Sequence, residues 1–227
     1  MGAREDGMVT VIGLDGYRGG WVAVYLENSR QRFDYGALDR LLDVPYKRAM
    51  IDIPVGLPAR GYRGCDVAAK AMVGSSAFLG ARWNLWKFKA YEHANAHYWN
   101  DNDTGISVQL WNLKDKLREI NVAMTPALQR RLQESHPELV FWRLKGGQML
   151  PSKKTPEGRW RRIELLKEQG IERIEEWLGQ RRGTGIGHDD LIDACACAIA
   201  ARDRHESHRL PIGVPVTKQG IRMEIWY

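Results

Sequence analysis

The chain has 227 residues, a net charge of +6 and an isoelectric point of about 9.3. At 44% hydrophobic and 27% charged residues it reads as a soluble globular protein, and no apolar run approaches the roughly 18 residues of a membrane span. That excludes a membrane partner, whereas the basic balance permits a polyanionic one without identifying it.

Residues 1–7 are polar and expected to fray, and "MGAREDGMVT" lacks the apolar core of a secretory signal. "MVTVIGL" (8–14) predicts a buried strand, "DGYRGG" a turn, "WVAVYL" (21–26) a second strand and "QRFDYG" a third. Leu38, Leu41 and Leu42 share a helical face, and "RAMIDI" (48–53) makes a fourth strand stopped by Pro54. Residues 59–124 read as a helical insertion: "CDVAAKAMV", "KAYEHANAHYWN" and "SVQLWNLKDKLREINVAM", the last with apolar residues at 110, 113, 117, 120 and 124. "TPALQRRL" predicts a Thr-capped helix start with Pro126 at its first position.

"RLQESHPELVFWRLKGG" has two parses. Either "ELVFWRL" is a strand, or "RLQES" is a short fifth strand and a helix begins at Pro137 and ends at Gly146–Gly147. The second is preferred, because His-Pro-Glu before an apolar run is a good helix start. Amphipathic helices follow in "EGRWRRIELLKEQG" and "IERIEEWLGQRR", then a helix over "HDDLIDACACAIAARDR", and "IRMEIWY" can form a strand. The order predicts an α/β protein, a single domain over 1–227. Its mixed sheet, in the order 3-2-1-4-5 and flanked by helices, is a ribonuclease H-like layout.

Acids punctuate this frame. Asp15 falls just past the first strand and Asp52 near the end of the fourth, so parallel neighbours bring both to one sheet edge, where open α/β sheets bind ligands. Glu134 ends the fifth strand in the preferred parse. Asp190 and Asp193, or Asp189 and Asp193, share a helix face. Converging carboxylates repel unless protons or cations neutralise them. Hard cations such as Mg²⁺ or Mn²⁺ choose carboxylate oxygens, and a pair about 3.5–4 Å apart can activate water against a phosphodiester. Against this, Asp189 and Asp190 can simply favour a helix N-terminus, with Asp189 the more natural cap, and Asp15 before Gly16 can be a turn residue. Asp193, one turn inside an apolar helix, fits neither simple role.

Lys153, Lys154, Arg159, Arg161 and Arg162 can bind phosphates or form a solvated basic face. His136 is a helix-cap or general-base candidate, and Arg63, Cys65 and Asp66 open a helix where a thiol pKa can be lowered. Cys195 and Cys197 read as small buried apolar residues, and three cysteines without a framework suit a reducing, cytoplasmic compartment. Trp83, Trp86, Trp99 and Trp111 can stack on bases, though aromatics in a helical insertion more often form its core.

"GLDGYRGGW", "IDIPVGLP", "RGCD", "SSAF", "ESHPELVFWRL", "PSKKTPEGRWRR" and "HDDLIDACA" occur in an order that resembles a predicted-nuclease family of ribonuclease H-like fold, catalogued largely as a domain of unknown function. The resemblance spans about residues 10–205. Asp190-x-x-Asp193 also resembles RuvC-type resolvases, with Asp15 and Asp52 in matching roles. It implies a metal-dependent phosphodiester hydrolase: Asp15, Asp52, Asp190 and Asp193 as Mg²⁺ or Mn²⁺ ligands and, with Glu134, as catalytic acids. Lys153, Lys154 and Arg161 would hold substrate phosphate, with Arg63, Asp66, His136 and Asp189 in secondary roles. The alternatives are a non-catalytic nucleic-acid-binding protein on the same fold and, from the faint phosphate-loop likeness of "GLDGYRGGWVAV", a phosphotransferase. Homo-oligomerisation stays open.

Overall fold

β-Branched and aromatic residues drive two strands joined by a tight turn at Arg18–Gly19. β1 (Val11–Tyr17) and β2 (Gly20–Leu26) pair antiparallel from Val11–Leu26 to Tyr17–Gly20. The computed structural model describes residues 10–28, 30–77, 79–102, 105–211 and 215–227. Residues 1–7, Met8 and Val9 of the predicted first strand, and Phe78 of "SSAF" lie outside these. β1 runs three residues past the predicted strand end at residue 14, because the hairpin turn is shorter than "DGYRGG" suggested. Asp15 therefore sits within the strand, not in a turn.

β3 (Gln31–Gly36) pairs antiparallel with β2, and α1 (Leu38–Leu42) returns the chain to β4 (Arg48–Ile51), parallel to β1. The helices α2 (Gly64–Val73), α3 (Tyr91–Asn102), α4 (Val108–Asn112), α5 (Lys114–Ala123) and α6 (Pro126–Gln129) precede β5 (Leu132–Glu134), parallel to β4. The predicted helix over 107–124 is two helices, broken at Leu113. Ser107 Oγ caps the first by accepting from Leu110 N at 3.1 Å.

α7 (Pro137–Leu144), α8 (Pro156–Glu168), α9 (Ile174–Gln180) and α10 (His188–Arg202) complete the fold, so the preferred parse of 131–147 holds. β6 (Arg209–Leu210) and β7 (Ile225–Trp226) form a small second pair. The main sheet has the order β3-β2-β1-β4-β5, as the sequence pattern predicted. No described helix is long and apolar enough to cross a membrane.

Strand alternation builds a core on each face. Ile12, Leu14, Tyr25 and Ile51 pack with Leu110, Leu117 and Ile120 of α4 and α5. Val11, Val22, Val24 and Met50 pack with α7, α9 and α10. Trp83, Trp86 and Trp111 flank the first core, while Trp99 is 52% exposed. In α10, every residue from Ala194 to Ala201 is at most 2% exposed. Its small side chains let the helix lie on β1, where a Cβ on Gly13 would come within 2.1 Å of Ala194 O and Ala198 N. That close approach carries Asp193 to the sheet.

Candidate metal centre

In Ile51-Asp52-Ile53 both isoleucines enter the core on the α5 side, so Asp52 turns to the opposite face. Its amide donates to Leu14 O at 2.9 Å, continuing the β1–β4 ladder past β4. Asp15 follows Leu14 and shares that face. α10 crosses there, placing Asp193 over both strands. A carboxylate oxygen from each of Asp15, Asp52 and Asp193 lies within 4.8 Å of the other two. Asp15 is 9% exposed and Asp193 3%. They border a cleft of about 1020 Å³.

Lys153 is the counter-charge in place: its Nζ donates to Asp193 Oδ2 at 2.6 Å. The loop carrying it is well anchored. Thr155 caps α8 by accepting from Gly158 N at 3.1 Å, Arg162 Nη1 donates to Pro151 O at 2.8 Å, and Arg159 Nε donates to Lys153 O at 3.0 Å. Gly158 permits this packing, since a Cβ there would meet Ser152 O at 2.1 Å.

One lysine cannot neutralise three acids. Burial first, then repulsion from Asp52, Asp193 and Asp190, holds Asp15 well above the usual carboxylate range. Burial pushes Asp52 and Asp193 each up to about 7 despite Lys153, which lowers both. Burial alone would depress the Lys153 ammonium, but Asp193, Asp52 and Asp15 together hold it above its ordinary value. Asp193 Oδ1 is buried with no hydrogen-bond partner. An all-oxygen donor set with an unfilled acceptor fits a hard divalent cation.

A stability effect follows from these shifts. Asp52 and Asp193 are raised in the fold, so the folded state holds protons that the unfolded chain releases near pH 4. Their contribution is full below that pH and is lost as pH rises through about 7. In chelator, the melting temperature should fall more from pH 5 to pH 8 in the wild type than in Asp193→Asn. Half-buried His136 is shifted down by desolvation and pulls the other way; Asp193 raises it, so Asp193→Asn strengthens that opposing trend and widens the difference between the two proteins. Equal pH slopes in the two would contradict the raised carboxylates.

The other expected site residues have different placements. Glu134 is at the same edge but faces Arg63, whose Nη1 and Nη2 donate to it at 2.5 and 2.7 Å; Val55 N donates at 2.6 Å. Arg63 also donates from Nε to Asp66 Oδ2 at 2.9 Å and from Nη2 to Asp66 Oδ1. Burial pushes Glu134 up to about 7 even beside Arg63, because one guanidinium serves two carboxylates. Asp190 is the α10 cap, accepting from Gly187 N at 2.7 Å, where Asp189 was the expected one. Asp189 instead faces Arg159 at 3.8 Å.

Lys154 lines the cleft. Arg161 is exposed, pairs with Glu164 at 3.0 Å and is not among the residues lining the cleft. Arg162 is 2% exposed and held by Glu138 at 2.6 and 3.1 Å, so it is an internal anchor rather than a free phosphate contact. His136 makes no cap bond; its Nε2 lies 3.3 Å from Ser76 O. Burial pushes Cys65 up to about 12, opposite to the lowered thiol a helix start allows, and Cys195 and Cys197 are buried. Glu138, in the cleft wall, escaped sequence reading; its position in the first turn after His-Pro was the available signal.

Sheet and carboxylates together define an α/β protein with a buried three-acid centre able to take a cation, at the C-terminal edge of parallel strands. The chain belongs to the family described as "Protein of unknown function (DUF429)", whose model matches residues 13–215. No curated protein and no solved structure matches it.

Proposed function

We propose that the protein is a divalent-cation-dependent phosphodiester hydrolase acting on nucleic acid. The observation that carries this reading is the convergence of Asp15, Asp52 and Asp193 from β1, the end of β4 and α10 within 4.8 Å. No local turn or cap explains three acids from distant segments, two buried and one half-buried, meeting at one point. Their mutual repulsion and burial favour cation capture at neutral pH, and without a cation the cleft would repel a phosphodiester.

Asp15, Asp52 and Asp193 would hold Mg²⁺ or Mn²⁺. The ion, when bound, supplies Lewis acidity and a water of lowered pKa. Asp193 would exchange its bond to Lys153 for the ion, freeing the Lys153 ammonium for a substrate oxygen in the same cleft. Lys154 would add a second phosphate contact. Arg159 and Arg162 keep the loop in place, so the ammonium stays near the carboxylates.

Asp15→Asn, Asp52→Asn and Asp193→Asn should each lower Mn²⁺-dependent cleavage of a DNA and RNA panel by at least about a hundredfold. Melting curves should show each variant folded. Wild-type cleavage rates in all three would sink the proposal.

The Lys153–Asp193 ion pair also favours a second reading, in which the lysine is the permanent counter-charge and the protein binds nucleic acid without cleaving it. Salt-dependent binding indifferent to chelator and to Asp52→Asn would select that reading.

A further inference from the structure

At the opposite end of β4 and α10 from the carboxylates, a separate pocket of about 400 Å³ gathers five arginines: Arg48, Arg130, Arg204, Arg209 and Arg222. Arg48 opens β4, and Arg204 follows the end of α10. Sequence scanning cannot see this cluster, because its members come from the starts of β4 and β6, the ends of α6 and α10, and the β6–β7 segment.

Structural duties account for part of it. Arg48 Nη1 donates to Ala201 O at 2.9 Å, satisfying a carbonyl of the last turn of α10. Arg222 Nε donates to Glu224 Oε1 at 2.8 Å. Glu206 pairs with Arg204 at 3.3 Å and Arg209 at 3.1 Å. Five guanidiniums against Glu206 and Glu224 still leave three positive charges.

The unused groups are mainly donors, beside two buried acceptors without a hydrogen-bond partner, Gln133 Oε1 and Glu224 Oε2. Arg204 Nε, Arg209 Nε and the indole Nε1 of Trp226, which also lines the pocket, are buried without partners. Arg204 stacks on the Trp226 ring at 3.6 Å, which fixes its guanidinium plane. Burial and then Arg204 push Arg48 down from its ordinary value, a sign of like charges held together. Confined like charges with spare donors call for an acceptor-rich anion. A volume of about 400 Å³ is in the small-ligand range of about 300–1,000 Å³.

We propose that this arginine pocket binds the oligophosphate group of a small molecule. The ligand is a di- or triphosphate, free or borne by a nucleotide, whose charge matches the unbalanced three and whose oxygens accept from the arginine fork. The site is distinct from the carboxylate cleft and does not depend on its chemistry.

Calorimetric titration of the full chain with inorganic tripolyphosphate, in divalent-free buffer, tests this. The expected result is saturable one-to-one binding that weakens with salt. Arg204→Gln/Arg209→Gln should weaken it by about tenfold or more. Arg130→Gln, at an exposed position that leaves the fold intact, should weaken it severalfold. Lys154→Gln, in the other cleft, should bind as wild type. Adenosine triphosphate as second probe distinguishes the sources: tighter binding assigns a nucleotide, equal binding the free oligophosphate. Absence of saturable binding, or binding lost in Lys154→Gln but kept in both arginine variants, overturns the proposal.

Discussion

Arg63→Met should destabilise the protein by about 3–5 kcal/mol, measured by urea denaturation. Arg63 is 1% exposed, and the variant would leave Glu134 and Asp66, both 4% exposed, without their shared counter-charge. The triple change Arg63→Met, Glu134→Gln, Asp66→Asn should regain much of the loss, because neutral amides need no ion pair. Functional damage should accompany the single variant. Glu134 accepts from Val55 N, and Arg63 Nη1 donates to Val55 O at 2.9 Å, so the pair fixes the chain three residues past Asp52. A loss below about 1 kcal/mol would mean that the two acids find other partners or simply protonate.

Gly13→Ala should cost about 3 kcal/mol, at the upper end of ordinary overpacking, although it adds a single methyl. The obstacles are backbone atoms of α10 at 2.1 Å, which cannot rotate away as a side chain can. The helix must lift, and Asp193 lifts with it. Cation affinity should therefore fall along with stability, whereas a substitution in the distant α4–α5 core, such as Leu117→Ala, should lower stability with the affinity kept. Urea midpoints paired with Mn²⁺ titration separate these outcomes. Unchanged Mn²⁺ affinity in Gly13→Ala would show that the helix position does not set the centre.

The strands were legible in the sequence because strand-forming runs alternate with turn residues and Pro137 marks where β5 gives way to α7, although β1 overruns its predicted end; their order came from that pattern together with analogy to the ribonuclease H-like layout. Asp15, Asp52 and Asp193 were legible because each is a charge in an apolar setting, which needs a partner wherever it lies. Glu134 looked equivalent by the same rule, yet its partner is Arg63, supplied by a loop whose path no periodicity reveals. Asp190 rather than Asp189 makes the capping contact because cap geometry depends on the turn at Gly187, not on residue type, and Asp189 faces Arg159 instead. Arg162 and Arg161 are adjacent in sequence, and the helix phase that buries one against Glu138 exposes the other. Gly13 carries no chemical signal at all; only the helix packed above it explains it.

The seating of α10 on β1 also bears on how the chain comes to fold. Gly13 and Ala194 touch across about 180 residues of sequence, so the central strand lacks its cover until the chain has been made through α10. Such long-range closure is slow, since loop entropy is lost before the contacts return it. Chains released short of α10 would expose the Val11–Val22–Met50 face together with two of the three acids. They should aggregate or be degraded rather than persist as a partly active product.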